Sequence, residues 1–125
     1  MATQATKLGL KPGMRVGLVG APAGWTLDDP PPFTSVPAGE SADVVILFAA
    51  EAAGLSEAML THGRRIFPAG ALWVAWPRRA AGHLSDLGDV VVRDAGLAHG
   101  LVDVKVAALD ENWSSLKFVW RLSER

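Results

Sequence analysis

Three short apolar segments, spread over the first two thirds of the chain, constrain its fold more than any other feature. Residues 14–19 end at Gly20, residues 43–48 form a block of large or β-branched side chains, and residues 71–76 are cut off by Pro77. Runs of this length predict strands, and the composition of the second suits a strand that is covered on both faces. A helical pattern separates the second run from the third, and alternating strands and helices favour parallel pairing with right-handed crossovers. The chain is therefore predicted to build an open, mostly parallel α/β sheet.

Two amphipathic helices are predicted, at about residues 51–62 and 86–99. Gly63 and Gly100 stand where glycines commonly end a helix. The helices present apolar sides made of Ala52, Leu55 and Met59 in the first and of Leu87, Val90, Val91, Leu97 and Ala98 in the second.

The last quarter of the chain predicts an antiparallel hairpin of two strands, residues 101–109 and 115–122. Apolar side chains alternate with other residues along both segments, and on both they carry even numbers. For the two sets to share a face, paired residue numbers must sum to an even value, which a loop of odd length satisfies. Asp110, Glu111 and Asn112 fit such a three-residue loop. The alternating residues are Val102, Val104, Val106 and Ala108 in the first strand and Leu116, Phe118, Trp120 and Leu122 in the second.

The segment between the first two strands is rich in proline. Residues 26–41 hold four of the eight prolines of the chain, and proline lacks the N–H donor that a helix needs. We therefore predict a structured loop there, of a length that is often functional. Residues 1–9 are polar and are expected to be flexible. Residues 10–125 are then predicted to form a single Rossmann-like domain with about five strands.

Composition excludes several classes of protein. The chain has 125 residues, no cysteine and a formal net charge of −1. Without cysteine it has no zinc ribbon, iron–sulfur cluster or thiol chemistry. Its near-neutral charge creates no general attraction to nucleic acid or anionic lipid. Because no apolar run approaches the ~20 residues of a membrane helix, we expect a cytoplasmic protein with neither nucleic acid nor membrane as a partner.

The best candidate site combines a glycine-rich turn after the first strand with an arginine pair after the third. In open parallel sheets ligands bind beyond the carboxyl ends of the strands, and these two turns are predicted to open on one edge. Glycines let the backbone approach a phosphate, and arginine makes forked bonds to anions. The residues predicted to line the site are Gly20, Ala21, Gly24, Trp25, Arg78 and Arg79. The alternative interpretation is a tight turn beside a solvated arginine pair.

No catalytic residue, metal site or cofactor is indicated by the sequence. Gly17, Gly20 and Gly24 do not match the spacing of the dinucleotide-binding motif, and the three histidines lack the spacing of a metal site. We therefore lean against an enzyme.

Four segments, LKPGMRVGLVGAP, ADVVILFA, ALWVAWPRR and GLVDVKVAALDENWSSLKFVWR, together resemble a family of small bacterial proteins known only as a domain of unknown function. The resemblance runs from about Leu8 to Leu122, implies a self-contained bacterial domain and assigns no site. Parallel strands followed by an antiparallel hairpin are also similar to the later half of the sheet in methyltransferases that use S-adenosylmethionine. That likeness implies the strand order 1-2-3-5-4. The usual acidic residues are missing, since the first turn has none and the second strand ends in Phe48-Ala49-Ala50.

Three functions follow as hypotheses. The first is a non-catalytic domain that binds a small anionic or nucleotide-like ligand at the carboxyl edge of the sheet. The second is a protein-interaction module, a homodimer, without a small-molecule ligand. The third is a reduced enzyme that binds S-adenosylmethionine.

Overall fold

The computed structural model describes residues 7–27, 30–37, 39–78 and 86–124. Within them the chain forms a six-stranded sheet with two helices. The strands are β1 (Arg15–Val19), β2 (Thr34–Ser35), β3 (Val44–Phe48), β4 (Ala71–Pro77), β5 (Leu101–Ala108) and β6 (Trp113–Trp120). The helices are α1 (Leu55–Arg65) and α2 (Asp89–Leu97), and a short 3-10 turn, Leu122–Glu124, follows β6.

The strands lie side by side in the order β2-β1-β3-β4-β6-β5. The first four are parallel, β6 is antiparallel to β4, and β5 is antiparallel to β6. The predicted open, mostly parallel α/β sheet is therefore confirmed, as is the order 1-2-3-5-4 of the five predicted strands. β3 and β4 are buried almost throughout because, as central strands, they are covered on both faces.

β2 is a strand that the sequence pattern did not predict. The Thr34 N–H donates to the carbonyl of Met14 at 2.8 Å, and the Val36 N–H donates to that of Val16 at 3.0 Å. The segment predicted as a loop, residues 26–41, thus adds a parallel edge strand beside β1. Two residues are too few to show an alternating pattern, and neighbouring prolines are tolerated at a sheet edge.

The two faces of the sheet are covered in different ways. The helices pack on one face, over a core that includes Phe118. The other face is covered by chain before and after β1, where Leu8 and Leu27 pack in one cluster with Trp73. Trp73 is fully buried, and its Nε1 donates to the carbonyl of Leu8 at 3.1 Å. Leu8 belongs to the N-terminal segment that was expected to be flexible, and it is buried.

α1 begins and ends later than the predicted residues 51–62. Gly54, with a φ of 79°, precedes its first residue. Gly63, predicted to cap the helix, instead lies inside it, and an added Cβ would lie 3.3 Å from Leu101. The Gly63 carbonyl accepts a 2.8 Å hydrogen bond from Nε1 of Trp120. Gly63 therefore serves close packing on the sheet, and the helix continues through it.

α2 is shorter than the predicted residues 86–99 and turns a different side to the sheet. Val90 and Val91, predicted on its apolar side, are 59% and 41% exposed, whereas Gly96 is buried. A Cβ on Gly96 would overlap the ring of Phe118. Because only glycine permits this close approach, α2 packs through its smallest residue and leaves the two valines at the surface.

The hairpin pairs as predicted only near its turn. There Val106 pairs with Leu116, but after an irregularity at Val104 it is Leu101 that pairs with Trp120. One extra residue in β5 shifts the register by one and moves the following side chains to the opposite face. The predicted apolar face of β5 is therefore wrong beyond the irregularity, at Val102, and Leu122, predicted as the last residue of β6, begins the 3-10 turn instead.

A buried arginine joins the chain after β2 to the end of α1. Arg65 is 7% exposed, and its guanidinium donates to the carbonyls of Glu40 at 2.7 Å and Pro37 at 3.0 Å. A third bond, at 3.1 Å, runs from Nη1 to Nδ1 of His62. A Cβ on Gly17 would lie 2.8 Å from Nη2. Gly17 therefore makes room for this buried cation.

We expect the His62 contact to make stability sensitive to mild acid. Partial burial and the neighbouring Arg65 charge lower the pKa of His62 below its ordinary value of 6.5. The unfolded chain therefore takes up the proton first, and stability present above pH 6.5 is lost as the pH falls towards the folded pKa. Urea unfolding at pH 7.5 and 5.5 measures the loss. In His62→Asn, whose side-chain oxygen can still accept from Arg65, this loss shrinks; an unchanged loss would show that His62 is not its source.

Candidate functional site

The ends of β1, β3 and β4 form one edge of the sheet, which we call the carboxyl edge. The strands are parallel neighbours, with Val19 beside Leu47 and Phe48 beside Ala75. Gly20 follows β1, and Arg78 follows β4. The topology thus brings the glycine turn and the first arginine of the predicted site to the same edge. Arg79 lies outside the described residues.

Gly20 is held close to the end of β3. Its φ is 71°, and an added Cβ would lie 2.9 Å from the carbonyl oxygen of Phe48. Both the conformation and the contact exclude larger residues. The turn continues to Gly24, whose φ of 78° is again left-handed and whose missing Cβ would meet nothing within 4 Å. Gly24 and Gly20 are exposed, so the backbone of this turn is open to a ligand, while Ala21 is half-buried against the core.

Trp25 connects the glycine turn to the hairpin through a ring contact and a hydrogen bond. Its ring meets Phe48 edge-on, with ring centroids 4.8 Å apart, and Phe48 in turn meets Trp113 at 5.0 Å. Trp25 Nε1 donates to a carboxylate oxygen of Asp110 at 2.9 Å. The indole N–H is therefore already bonded, and the half-buried ring offers at most part of one face to a ligand.

Asp110 organises the hairpin turn, a role that sequence reasoning missed. Its other carboxylate oxygen accepts the backbone N–H groups of Asn112 at 2.7 Å and Trp113 at 3.0 Å. An aspartate that bonds the backbone two residues ahead is typical of turns, so the position of Asp110 before the loop is the sequence signal that could have revealed its role in the turn. The bond to Trp25 joins residues 85 positions apart, which no local pattern reveals.

Arg78 lies beside the same turn. Its backbone N–H donates to the carbonyl of Asn112 at 2.8 Å, and Nη1 lies 3.4 Å from the carbonyl of Asp110. Both partners are neutral carbonyls. Among the described residues no carboxylate lies within salt-bridge distance of the half-buried guanidinium. Its charge is therefore available to an anion.

A shallow cavity of about 320 Å³ opens at the end of β3, beside the start of α1. Phe48, Ala49, Ala50 and Gly54 line it, together with the carboxylate-bearing Glu51. Carboxylates near the ends of parallel strands suit the hydroxyl groups of a ribose. The edge thus combines an exposed glycine turn, a cation with no acidic partner among the described residues, and the acidic side chain of Glu51 in addition to the hydrogen-bonded Asp110.

Neither a metal centre nor a membrane span is present in the described part of the chain. It contains no group of three or more His, Asp or Glu side chains placed to hold a metal ion. Its helices are too short to cross a membrane.

Solved structures share this fold. Magnesium protoporphyrin IX methyltransferase from Synechocystis, with bound SAH, superposes with a TM-score of 0.50 at 12% identity, over 74% of this chain and 52% of that one. The same enzyme with bound SAM gives a TM-score of 0.51 at 11% identity, over 87% and 71%. Fibrillarin, a pre-rRNA processing protein from Methanococcus jannaschii, gives 0.59 at 14%, over 94% and 73%.

These neighbours confirm the methyltransferase-like, open α/β fold that the strand order implied. At such low identity they show the fold alone, and the chain spans about half the length of the first enzyme. No family model matches the chain, and neither does any curated protein. The resemblance to the small bacterial family therefore gains no support from these comparisons.

Proposed function

We propose that this chain is a non-catalytic domain with a methyltransferase-like fold that binds a small anionic, nucleotide-like ligand at the carboxyl edge. The observation that carries the proposal is the guanidinium of Arg78, which has no carboxylate partner in the described part of the chain and lies at the same edge as the exposed turn of Gly20 and Gly24. The anionic group would contact Arg78 and the N–H groups of the turn. The cavity beside Glu51 would take the sugar or base.

Binding without catalysis is favoured because the hydrogen bonds of Asp110, an acidic residue at this edge, are made within the protein. The Asp110 carboxylate accepts three N–H donors, from Trp25, Asn112 and Trp113. Both oxygens of this carboxylate are therefore already engaged in holding the hairpin turn and the Trp25 ring. The chain also contains no tyrosine, so a tyrosine hydroxyl cannot serve as an acid or base here.

A reduced enzyme that binds S-adenosylmethionine is the second candidate, and the neighbours solved with bound SAM and SAH favour it. The structure gives one reason to rank it lower. β2 ends at Ser35 and is followed by Val36 and Pro37, so the strand beside β1 ends without the acidic residue that dinucleotide and related sites use for the ribose.

A thermal-shift panel of nucleotides, SAM and SAH tests both candidates. A ligand at a hundred times its Kd raises the free energy of unfolding by about 2.7 kcal/mol. We expect a nucleotide to shift the melting temperature, and Arg78→Ala to weaken its binding roughly tenfold. The matched control is Arg64→Ala, an exposed arginine in the last turn of α1.

Three outcomes decide between the candidates. A shift with SAM and SAH alone would favour the reduced enzyme. A panel without any shift, or Arg78→Ala and Arg64→Ala variants with equal affinity, would contradict the anion site.

A further inference from the structure

A second groove, of about 530 Å³, lies between the start of α2 and the hairpin. Trp76 of β4 lines it, as do Ser114 of β6 and Val106 of β5. Its remaining lining, which we call the α2 entry, is residues 86–91. The groove shares none of its residues with the predicted anion site.

The wall of this groove is apolar and exposed. Val90 and Val91 are 59% and 41% exposed, and Val106 is 64% exposed. Leu87 and Trp76, which also line it, are buried. Single exposed apolar residues are ordinary, but three valines that converge on one concavity mark a surface suited to an apolar group.

The charged groups that line the groove are acidic. Asp86 and Asp89 stand in the α2 entry, and no basic side chain is among the described lining residues. Asp86 accepts the N–H of Ala52 at 2.8 Å, which fixes one of its oxygens. Asp89 is 3.9 Å from Arg93, whose shorter bond, at 2.9 Å, goes to Asp103.

The net charge at the groove follows from comparing its acidic groups with the positive groups beside them. The N-terminus of α2 contributes roughly half a positive charge, and the charge of Arg93 near Asp89 is shared with the closer Asp103, so the carboxylates of Asp86 and Asp89 outweigh the positive groups beside them. The groove therefore repels an anion and attracts a cation.

We propose that this groove binds a small organic cation with an apolar body, such as an alkylammonium ion. The alkyl group would contact Val90, Val91 and Val106, and the ammonium group would lie near Asp86 and Asp89. This site has the opposite charge preference to the anion site at the carboxyl edge. A failed test of one site therefore does not contradict the other.

A second copy of the chain is a less suitable occupant. To reach the groove through the sheet edge it would pair with β5, which is interrupted by the irregularity at Val104 and carries Lys105. Bulges and edge lysines are the devices that discourage strand-to-strand pairing.

An NMR titration with n-butylammonium, compared with 1-butanol and butyrate, tests the proposal. We expect butylammonium to shift the amide resonances of Gly88, Val91, Val106 and Ser114 with a millimolar dissociation constant. The neutral alcohol should bind at least fivefold more weakly, and butyrate should not bind.

The decisive variant is the double substitution Asp86→Asn and Asp89→Asn, which keeps both side-chain shapes and the acceptor for Ala52. It should weaken butylammonium binding roughly tenfold, while Glu57→Gln, an exposed carboxylate in the first turn of α1, should leave it unchanged. Equal affinity for the alcohol and the cation, or full affinity in the double variant, would overturn the proposal. So would shifts of these resonances on concentrating the protein alone, which would make the groove an interface between copies.

Discussion

Trp73→Ala is expected to lower the free energy of unfolding by about 4 kcal/mol, more than any other single substitution that we propose. Trp73 lies in the middle of β4 and is fully buried, and its Nε1 donates to the carbonyl of Leu8. Truncating a buried aromatic residue to alanine removes its apolar contacts and leaves a cavity, which together cost about 3–5 kcal/mol. Urea unfolding followed by far-UV circular dichroism measures the change.

Trp73→Phe separates packing from the hydrogen bond. It keeps most of the ring but removes the donor to Leu8, so we expect a loss of about 1–2 kcal/mol, together with faster amide exchange in the Leu8–Leu10 segment. If Trp73→Ala lost less than about 1.5 kcal/mol, the burial of this residue in the cluster with Leu8 and Leu27 would be contradicted.

Arg65→Met is expected to lower the free energy of unfolding by about 3 kcal/mol. The substitution keeps an apolar side chain of similar reach but removes the donors to Pro37, Glu40 and His62. The three hydrogen bonds are part-buried, and each acceptor left without its donor costs about 1 kcal/mol, up to about 3 where water is excluded. The same unfolding measurement applies, and hydrogen exchange should show faster exchange at Ala42, whose N–H donates to the carbonyl of Arg65.

Arg64→Met is the matched control, because Arg64 is the preceding residue in the same helix turn and is exposed. Surface substitutions of this kind usually stay within about 0.5 kcal/mol. Equal losses in the two variants would contradict the view that Arg65 holds the chain after β2 against α1.

The central sheet could be predicted from sequence because its signal is local. β1, β3 and β4 are short, mostly apolar runs, the first and the last of them end at Gly20 and Pro77, and the helical pattern between β3 and β4 implies parallel pairing. The features that were missed depend on partners distant in sequence. β2 exists only through its pairing with β1, and the side that α2 turns to the sheet is decided by the fit of Gly96 against Phe118.

The candidate site could be predicted in part for the same reason. Topology alone places Gly20 and Arg78 at one edge once the strands are known to be parallel. The contact of Trp25 with Asp110 depends on where the hairpin turn meets the first turn, and sequence spacing does not determine that. The buried state of Arg65 was hidden as well, because its acceptors are backbone carbonyls, which every residue has.

The most direct test of the anion site is to map where a nucleotide contacts the chain. In an NMR titration with adenosine monophosphate, we expect the amide resonances of Gly20, Gly24 and Arg78 to shift together. Those of Asp43 and Gly70, which line a cavity at the opposite edge of the sheet, should stay in place. Shifts confined to that opposite edge, or no shifts at millimolar nucleotide, would contradict an anion-binding site at the carboxyl edge.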